Sequence, residues 1–248
     1  MVVAVTFALH AEFAPWRRLR SFKRCADGRV PTYAAQTGDL RVRVILTGVG
    51  PRAATVAAET VFHDRPDVCI ASGLAGGLHE TLRVSEVVAS GSVCGHDGPS
   101  VDIDPRLLAL ALSGGARSVA LFSSPMIVVS AAEKRRMSEV ADAVDMESAV
   151  ILAESSRLAI PCIAIRAISD PSTVDLPIDI NQTLTPLGRV STARTIVALV
   201  RRPHAVWRLV RLGLDGRRAA MALGAFLDSY INQLGAGPQR FSATSFPS

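Results

Sequence analysis

Four acids and one arginine stand at the ends of apolar runs in this chain: Glu12 after VVAVTFAL, Asp145 and Glu147 in VDMES, and Arg166 and Asp170 in RAISD. Residues of these types, gathered around one bound molecule, perform proton transfer. A carboxyl that keeps its proton hands it to a leaving group, and an ionised one takes a proton from water. Each also has an ordinary use. Glu147 suits the first turn of a helix, and Asp170 before a proline opens a turn. SGLAGGL (72–78) directly follows DVCIAS, and its glycines let backbone come close to a ligand because no Cβ intervenes. It has neither the GxGxxG nor the GxxxxGK[ST] spacing, so taken alone it reads as a tight strand-to-loop turn.

The elements that position these residues are short and alternate in kind. Strand patterns fall at 2–9, 41–49, 67–72, 84–93, 118–124, 126–130 and 161–169, and helical patterns at 51–63, 132–140 and 147–158. That alternation implies an α/β layer fold with helices on both sides of a largely parallel sheet. In open α/β sheets ligands sit beyond the carboxyl ends of strands, which is where the acids fall. After Asp170 the chain reads as a long loop (171–186), then helices over 187–201, 203–212 and 215–233, then a loose tail.

At 248 residues, 49% of them hydrophobic, the chain has material for one large domain. No apolar run reaches the roughly 18–20 residues of a membrane-spanning helix, and MVVAVTFAL lacks a basic leader, so it reads as a first strand and the protein as cytoplasmic. Cys25, Cys69, Cys94 and Cys162 show no close pairing, and the five histidines form no ligand cluster, so neither a metal nor another cofactor is expected. The net charge of +5 is concentrated near the C-terminus, in Arg201, Arg202, Arg208, Arg211, Arg217 and Arg218 against Asp215. Such clustering implies an anionic neighbour. With no nucleic-acid-binding motif in view, a membrane surface is the expected one.

The order LTGVG, ASGLAGGL, VDMES, AIRAISD resembles the nucleoside phosphorylase superfamily, on its nucleosidase side, from Val2 to about Pro171. The resemblance implies a three-layer α/β/α sandwich around a central mixed, partly barrel-like sheet, with extra helices at the C-terminus. It implies cleavage of the bond between a ribose and a purine. Asp170 would be the general acid at purine N7, protonated because burial lifts it above the roughly 3.9 of a free aspartate. Glu147 would take hydrogen bonds from the ribose hydroxyls, and Met146 would pack on the sugar. Glu12, as base, and Arg166 would hold the attacking water. Gly73, Ala75, Gly76 and Gly77 would border the nucleoside. The chain departs from the family in having Asp145 where its relatives carry a glutamate, and Leu74 where they often carry a hydroxyl.

Purine phosphorylases of this superfamily hold phosphate just after the first strand with a Gly-Pro-Arg-like loop. Here that place carries Glu12, whose charge repels phosphate, so hydrolysis is expected. The competing anion site is Gly50-Pro51-Arg52.

DP-x(3)-DLP (170–177) and the basic C-terminal segment resemble the hopanoid-associated branch, whose members are similar to nucleosidases that convert adenosylhopane to ribosylhopane and adenine. The alternatives are phosphorolytic purine cleavage and the methylthioadenosine/S-adenosylhomocysteine and futalosine nucleosidases. The resemblance thus implies a lipid-linked adenine nucleoside as ligand, a homodimer, and contact with the inner face of the membrane through the basic helices. Arginines interleaved with Trp207, Val210, Leu212, Leu214, Leu223 and Phe226 fit that contact. The expected organisation is a nucleosidase-like domain over 1–200, a packed helical extension over 201–234 and a flexible tail over 235–248.

Overall fold

The computed structural model describes residues 1–26, 30–95, 100–176 and 205–236. In chain order the elements are β1 (Val2–Phe7), α1 (His10–Leu19), β2 (Lys23–Arg24), β3 (Thr32–Thr37), β4 (Leu40–Leu46), α2 (Pro51–Phe62), β5 (Val68–Gly77) and β6 (Val87–Gly95). There follow β7 (Val101–Asp102), α3 (Pro105–Ser113), β8 (Arg117–Ser123), α4 (Ala131–Met137), β9 (Ala143–Asp145), α5 (Ser148–Arg157), β10 (Cys162–Asp170) and α6 (Ala205–Ala236).

All the described strands join one mixed sheet, and β5 is its pivot. Its first half pairs in parallel with β1 and its last two residues pair antiparallel with β9. On its other edge it pairs in parallel with β10, and β10 continues through β6 and β8 to β9. The circuit β5–β10–β6–β8–β9 therefore closes, and closure removes edges that would otherwise expose unpaired backbone. The arm β1–β4–β3–β2 runs outward from β5. Antiparallel pairings at β6–β10, β5–β9 and β3–β4 make the sheet mixed, so the largely parallel sheet of the periodicity argument is corrected.

The apolar strands sit in the middle of a three-layer sandwich. Val3, Val5, Val42, Val44, Ile70, Ile163 and Ile165 are fully buried, as expected of strands covered on both faces. α2 packs on α5, and α1 and α3 both pack on α6.

Three expectations change. The strand at 126–130 does not form: Pro125 lacks a donor, and Ser124 Oγ binds both the N–H and the C=O of Met126, turning the chain out of the sheet. SGLAGGL is not a loop after β5 but the strand's second half. The helices expected over 203–212 and 215–233 are, among the described residues, one helix, α6, from Ala205 to Ala236. Gly213 and Gly216 each cost about 1 kcal/mol there relative to alanine. Burial of Ala219, Leu223, Leu227, Tyr230, Ile231 and Leu234 at helical spacing outweighs that cost. Arg20 locks the helix down through an ion pair to Asp228 and bonds to the Asp228 carbonyl (2.8 Å) and Asn232 (2.7 Å). The apolar residues of α6 do not share one side: Leu223 is buried, Leu212 and Phe226 are half-buried, and Trp207, Val210 and Leu214 are exposed. The helix expected over 187–201, most of the 171–186 loop, Arg201, Arg202, the 200/201 boundary and residues 237–248 lie outside the described residues.

Candidate active site

A cavity of about 360 Å³ opens at the carboxyl ends of β1, β5, β9 and β10. Its apolar wall includes Leu9, Val49, Leu74, Met126, Val128 and Leu209, and four acids, Glu12, Asp145, Glu147 and Asp170, also border it. Ala75, Gly76 and Met146 line it as well.

Glu12 lies in the first turn of α1, where free backbone N–H groups await a partner. Its Oε2 accepts the N–H groups of Ala8 (3.0 Å) and Leu9 (3.1 Å), and its Oε1 accepts that of Leu74 (3.4 Å). The Leu74 bond depends on the pivot in β5, where the strand leaves β1 and Gly73 adopts a φ of +142°. Burial raises the Glu12 carboxyl above the ordinary glutamate range, against the lowering effect of these amides and of Arg166.

Asp145, at the end of β9, and Arg166, on β10, form a buried ion pair. The guanidinium also donates to Ser148 Oγ (2.9 Å) and to the Ser72 carbonyl (3.1 Å), and Nη1 lies 4.0 Å from Glu147. Asp145 in turn accepts from Ser123 Oγ (2.5 Å) and from the Ser148 N–H at the start of α5 (3.1 Å). Arg166 is only 2% exposed and is not among the residues lining the cavity. It stands behind the wall, against Asp145 and near Glu147.

Glu147 is the residue before α5. Its Oε1 accepts the Gly50 N–H at 2.7 Å. Burial pushes its carboxyl up to about 8. Arg166 opposes that rise, and the charges of Asp145 and Glu12 add to it. The Gly50 donor is thereby occupied and Arg52 is exposed, so the Gly50-Pro51-Arg52 anion site has lost its backbone donor to Glu147.

Asp170 ends β10. It accepts from Ser169 Oγ (2.6 Å) and pairs with Lys134, a fully buried side chain on α4. The side chain expected to act as the acid thus has a buried ammonium as its neighbour. Gly73 and Gly77 are absent from the cavity lining. Gly73 lies beneath Arg166 and Glu12, and Gly77 pairs with Ala143 of β9.

Sequence reasoning did not single out Lys134, because EKRR reads as a solvated basic face. It also missed the Met126–Val128 wall, whose residues look like a strand. No group of three or more metal-binding side chains occurs among the described residues.

Residues 8–201 match the model of the phosphorylase superfamily. A curated 5′-methylthioadenosine/S-adenosylhomocysteine nucleosidase of Hydrogenovibrio crunogenus is 35% identical over 107 residues, 42% of this chain and 45% of that protein. The chain therefore aligns with less than half the length of that relative. Among solved structures, the 5′-methylthioadenosine/S-adenosylhomocysteine nucleosidase of Neisseria meningitidis, in complex with methylthio-immucillin-A, superposes with a TM-score of 0.72. That match is 22% identical and covers 94% of this chain and 99% of the other. The Campylobacter jejuni nucleosidase of the same name gives 0.73 at 17% identity, over 94% of this chain and 99% of the other. The native futalosine hydrolase of Helicobacter pylori strain 26695 gives 0.73 at 17%, over 94% and 98%. At these identities the structural likeness concerns the fold.

Proposed function

The chain belongs to the phosphorylase superfamily, and we propose that it is a nucleosidase, which cleaves the N-glycosidic bond of an adenine nucleoside with water. One observation carries the choice of water. The amides of Ala8 and Leu9, where a phosphate would be cradled after β1, are already taken by the carboxylate of Glu12. A second anion placed there meets repulsion of about 1–4 kcal/mol at 4 Å.

In this reading the purine lies against Ser169 and Asp170, and the ribose lies between Met146 and Glu147. Asp170 gives N7 a proton as the bond breaks, so the base departs neutral. The sugar becomes oxocarbenium-like, and Glu147 holds its hydroxyls. Glu12 takes a proton from the water that attacks C1′. Arg166 touches neither substrate nor water; it is a positioning residue that holds Asp145 and keeps Glu12 and Glu147 in register. Glu12→Gln then abolishes adenine release while ligand still binds, and Asp170→Asn slows release by about 10²–10⁴. Near-wild-type turnover in either variant refutes the assigned role.

The substrate we favour is adenosylhopane, giving ribosylhopane and adenine in hopanoid biosynthesis. Support comes from the apolar wall of Leu9, Val49, Leu74, Met126 and Leu209, which suits a large apolar group on the sugar. Adenine release measured side by side from adenosylhopane, 5′-methylthioadenosine and futalosine decides among them; preference for either of the last two removes the hopanoid reading.

A lipidic substrate calls for a membrane-facing surface. Trp207, Val210, Leu214 and Met221 form an exposed apolar stripe on α6, flanked by Arg208, Arg211, Arg217 and Arg218. That stripe is our candidate for docking at the inner face of the membrane, while Leu209 of the same helix borders the cavity. The protein would work as a homodimer, which light scattering tests.

A further inference from the structure

Lys134 is buried completely, beside the residue expected to act as an acid. Its ammonium has three N–H donors, and three acceptors surround it: the Asp170 carboxylate, the Pro171 carbonyl at 2.9 Å and the Val174 carbonyl at 3.4 Å. A neutral amine would leave one of these without a donor. A buried ammonium is tolerated only when paired and fully bonded, and this one is both. The lysine also sits at the centre of a seam. Leu176 N–H binds the Val129 carbonyl at 2.8 Å, and Ala131 N–H binds Asp175 at 2.7 Å. The segment after β10 is thereby stitched to the segment before α4, and both segments line the cavity.

We propose that Lys134 is the positioning residue of the acid: it holds Asp170 ionised and fixed until nucleoside binds, so that the proton used at N7 enters together with the purine. The inference rests on the nucleosidase reading for the purine step and on geometry alone for the ion pair. Before nucleoside binds, the proposed pair is an ammonium and a carboxylate. Purine binding brings the N7 lone pair against Asp170, and one proton is taken from solvent to form the acid. When the C1′–N9 bond breaks, its electron pair passes into the base and the Asp170 proton passes to N7. The carboxylate then pairs with Lys134 again. The proton that Glu12 takes from the attacking water returns to solvent, so the cycle consumes only nucleoside and water.

Other charged groups face Asp170 from the surrounding elements. Glu12, Asp145 and Glu147 share the cavity, and Asp175, Arg208, Arg211 and Asp215 line an adjoining one that Asp170 also borders. Among the described residues, Lys134 is the cation in ion-pair contact with it.

Two measurements test the proposal. Carbon NMR of the aspartate side-chain carboxyls, with Asp170 assigned by difference from Asp170→Asn, reports its charge in the free protein. Wild-type Asp170 is expected to be ionised at pH 7. In Lys134→Met its titration should rise by about 1–3 pH units, the effect of losing an opposite charge at contact. The alkaline fall of kcat/KM for adenine release should move up by the same amount, and Lys134→Arg should restore the wild-type profile. A neutral Asp170 at pH 7 in the free wild-type protein overturns the proposal, even if Lys134→Met fails to fold. So do identical titrations in wild type and Lys134→Met. The carboxyl titration needs no turnover, so failure of the nucleosidase reading, seen as no adenine release, is a separate result.

Discussion

Gly73→Ala should be a strongly damaging single-methyl change. An added Cβ would lie 2.5 Å from Arg166 Nη1 and 3.2 Å from Glu12 Oε2. Arg166 cannot swing aside, because Asp145, Ser148 and the Ser72 carbonyl hold its guanidinium. Glu12 is tied to three backbone amides. Overpacking of such a site costs about 1–3 kcal/mol. A side chain at a φ of +142° adds strain of about 1–3 kcal/mol. The sum, about 2–6 kcal/mol, lowers Tm by about 4–24 °C for a chain of this size. If Arg166 and Glu12 shift by about 1 Å to make room, turnover falls by about 10². Calorimetric melts and adenine-release assays should be run beside two controls. Gly38→Ala has a φ of +54° but nothing within 4 Å, so it isolates backbone strain of about 1–2 kcal/mol. Gly77→Ala meets only contacts of 3.4 Å or more, so it isolates an added methyl with room to fit. If Gly73→Ala melts and turns over like Gly77→Ala, the packing of Arg166 and Glu12 around β5 is wrong.

Asp170→Asn should also destabilise, by about 3–5 kcal/mol, because it strands the Lys134 charge; adding Lys134→Met should recover stability without recovering activity, as read by paired melts and assays. Glu147 is raised in the folded protein, to about 8. Its contribution to stability is therefore fully present below the unfolded value near 4.5 and is lost as pH rises through about 8. Melts between pH 5 and 9 should show Tm falling, and Glu147→Gln should flatten the curve; an unchanged slope refutes the burial argument. Replacing Arg208, Arg211, Arg217 and Arg218 with Gln should weaken binding to anionic vesicles by about 1 kcal/mol per residue near the surface. A wild-type protein that sediments equally with neutral and anionic vesicles contradicts the membrane reading.

Much of the fold is legible in the chain because its strands are strongly apolar and its helices amphipathic. β1, β4, β8 and β10 lie where the β-branched runs fall. Other elements are quieter for physical reasons. α1 carries Pro15 in its interior and has no polar cap residue, and its N-terminus is satisfied by Glu12 from within the helix. α3 has a readable start, Asp104 accepting from the Arg106 (2.8 Å) and Leu107 (3.3 Å) N–H groups with Pro105 in the first turn, yet its run LLALAL alternates leucine and alanine as a strand would. β3, TYAAQT, is weakly apolar and is held mainly by its pairing with β4 across Gly38. The site divides in the same way. Acids at strand ends stand out because charge interrupts an apolar run. Lys134 does not, because its burial comes from the turn after β10, far away in sequence.

The central claim is that water, not phosphate, takes the ribosyl group. Incubating the purified protein with an adenine nucleoside in ¹⁸O-labelled water, with and without added phosphate, tests it directly. Equal adenine release under both conditions, with one ¹⁸O in the anomeric hydroxyl of the free sugar before exchange, is the predicted result. Release that requires phosphate and yields ribose 1-phosphate contradicts it.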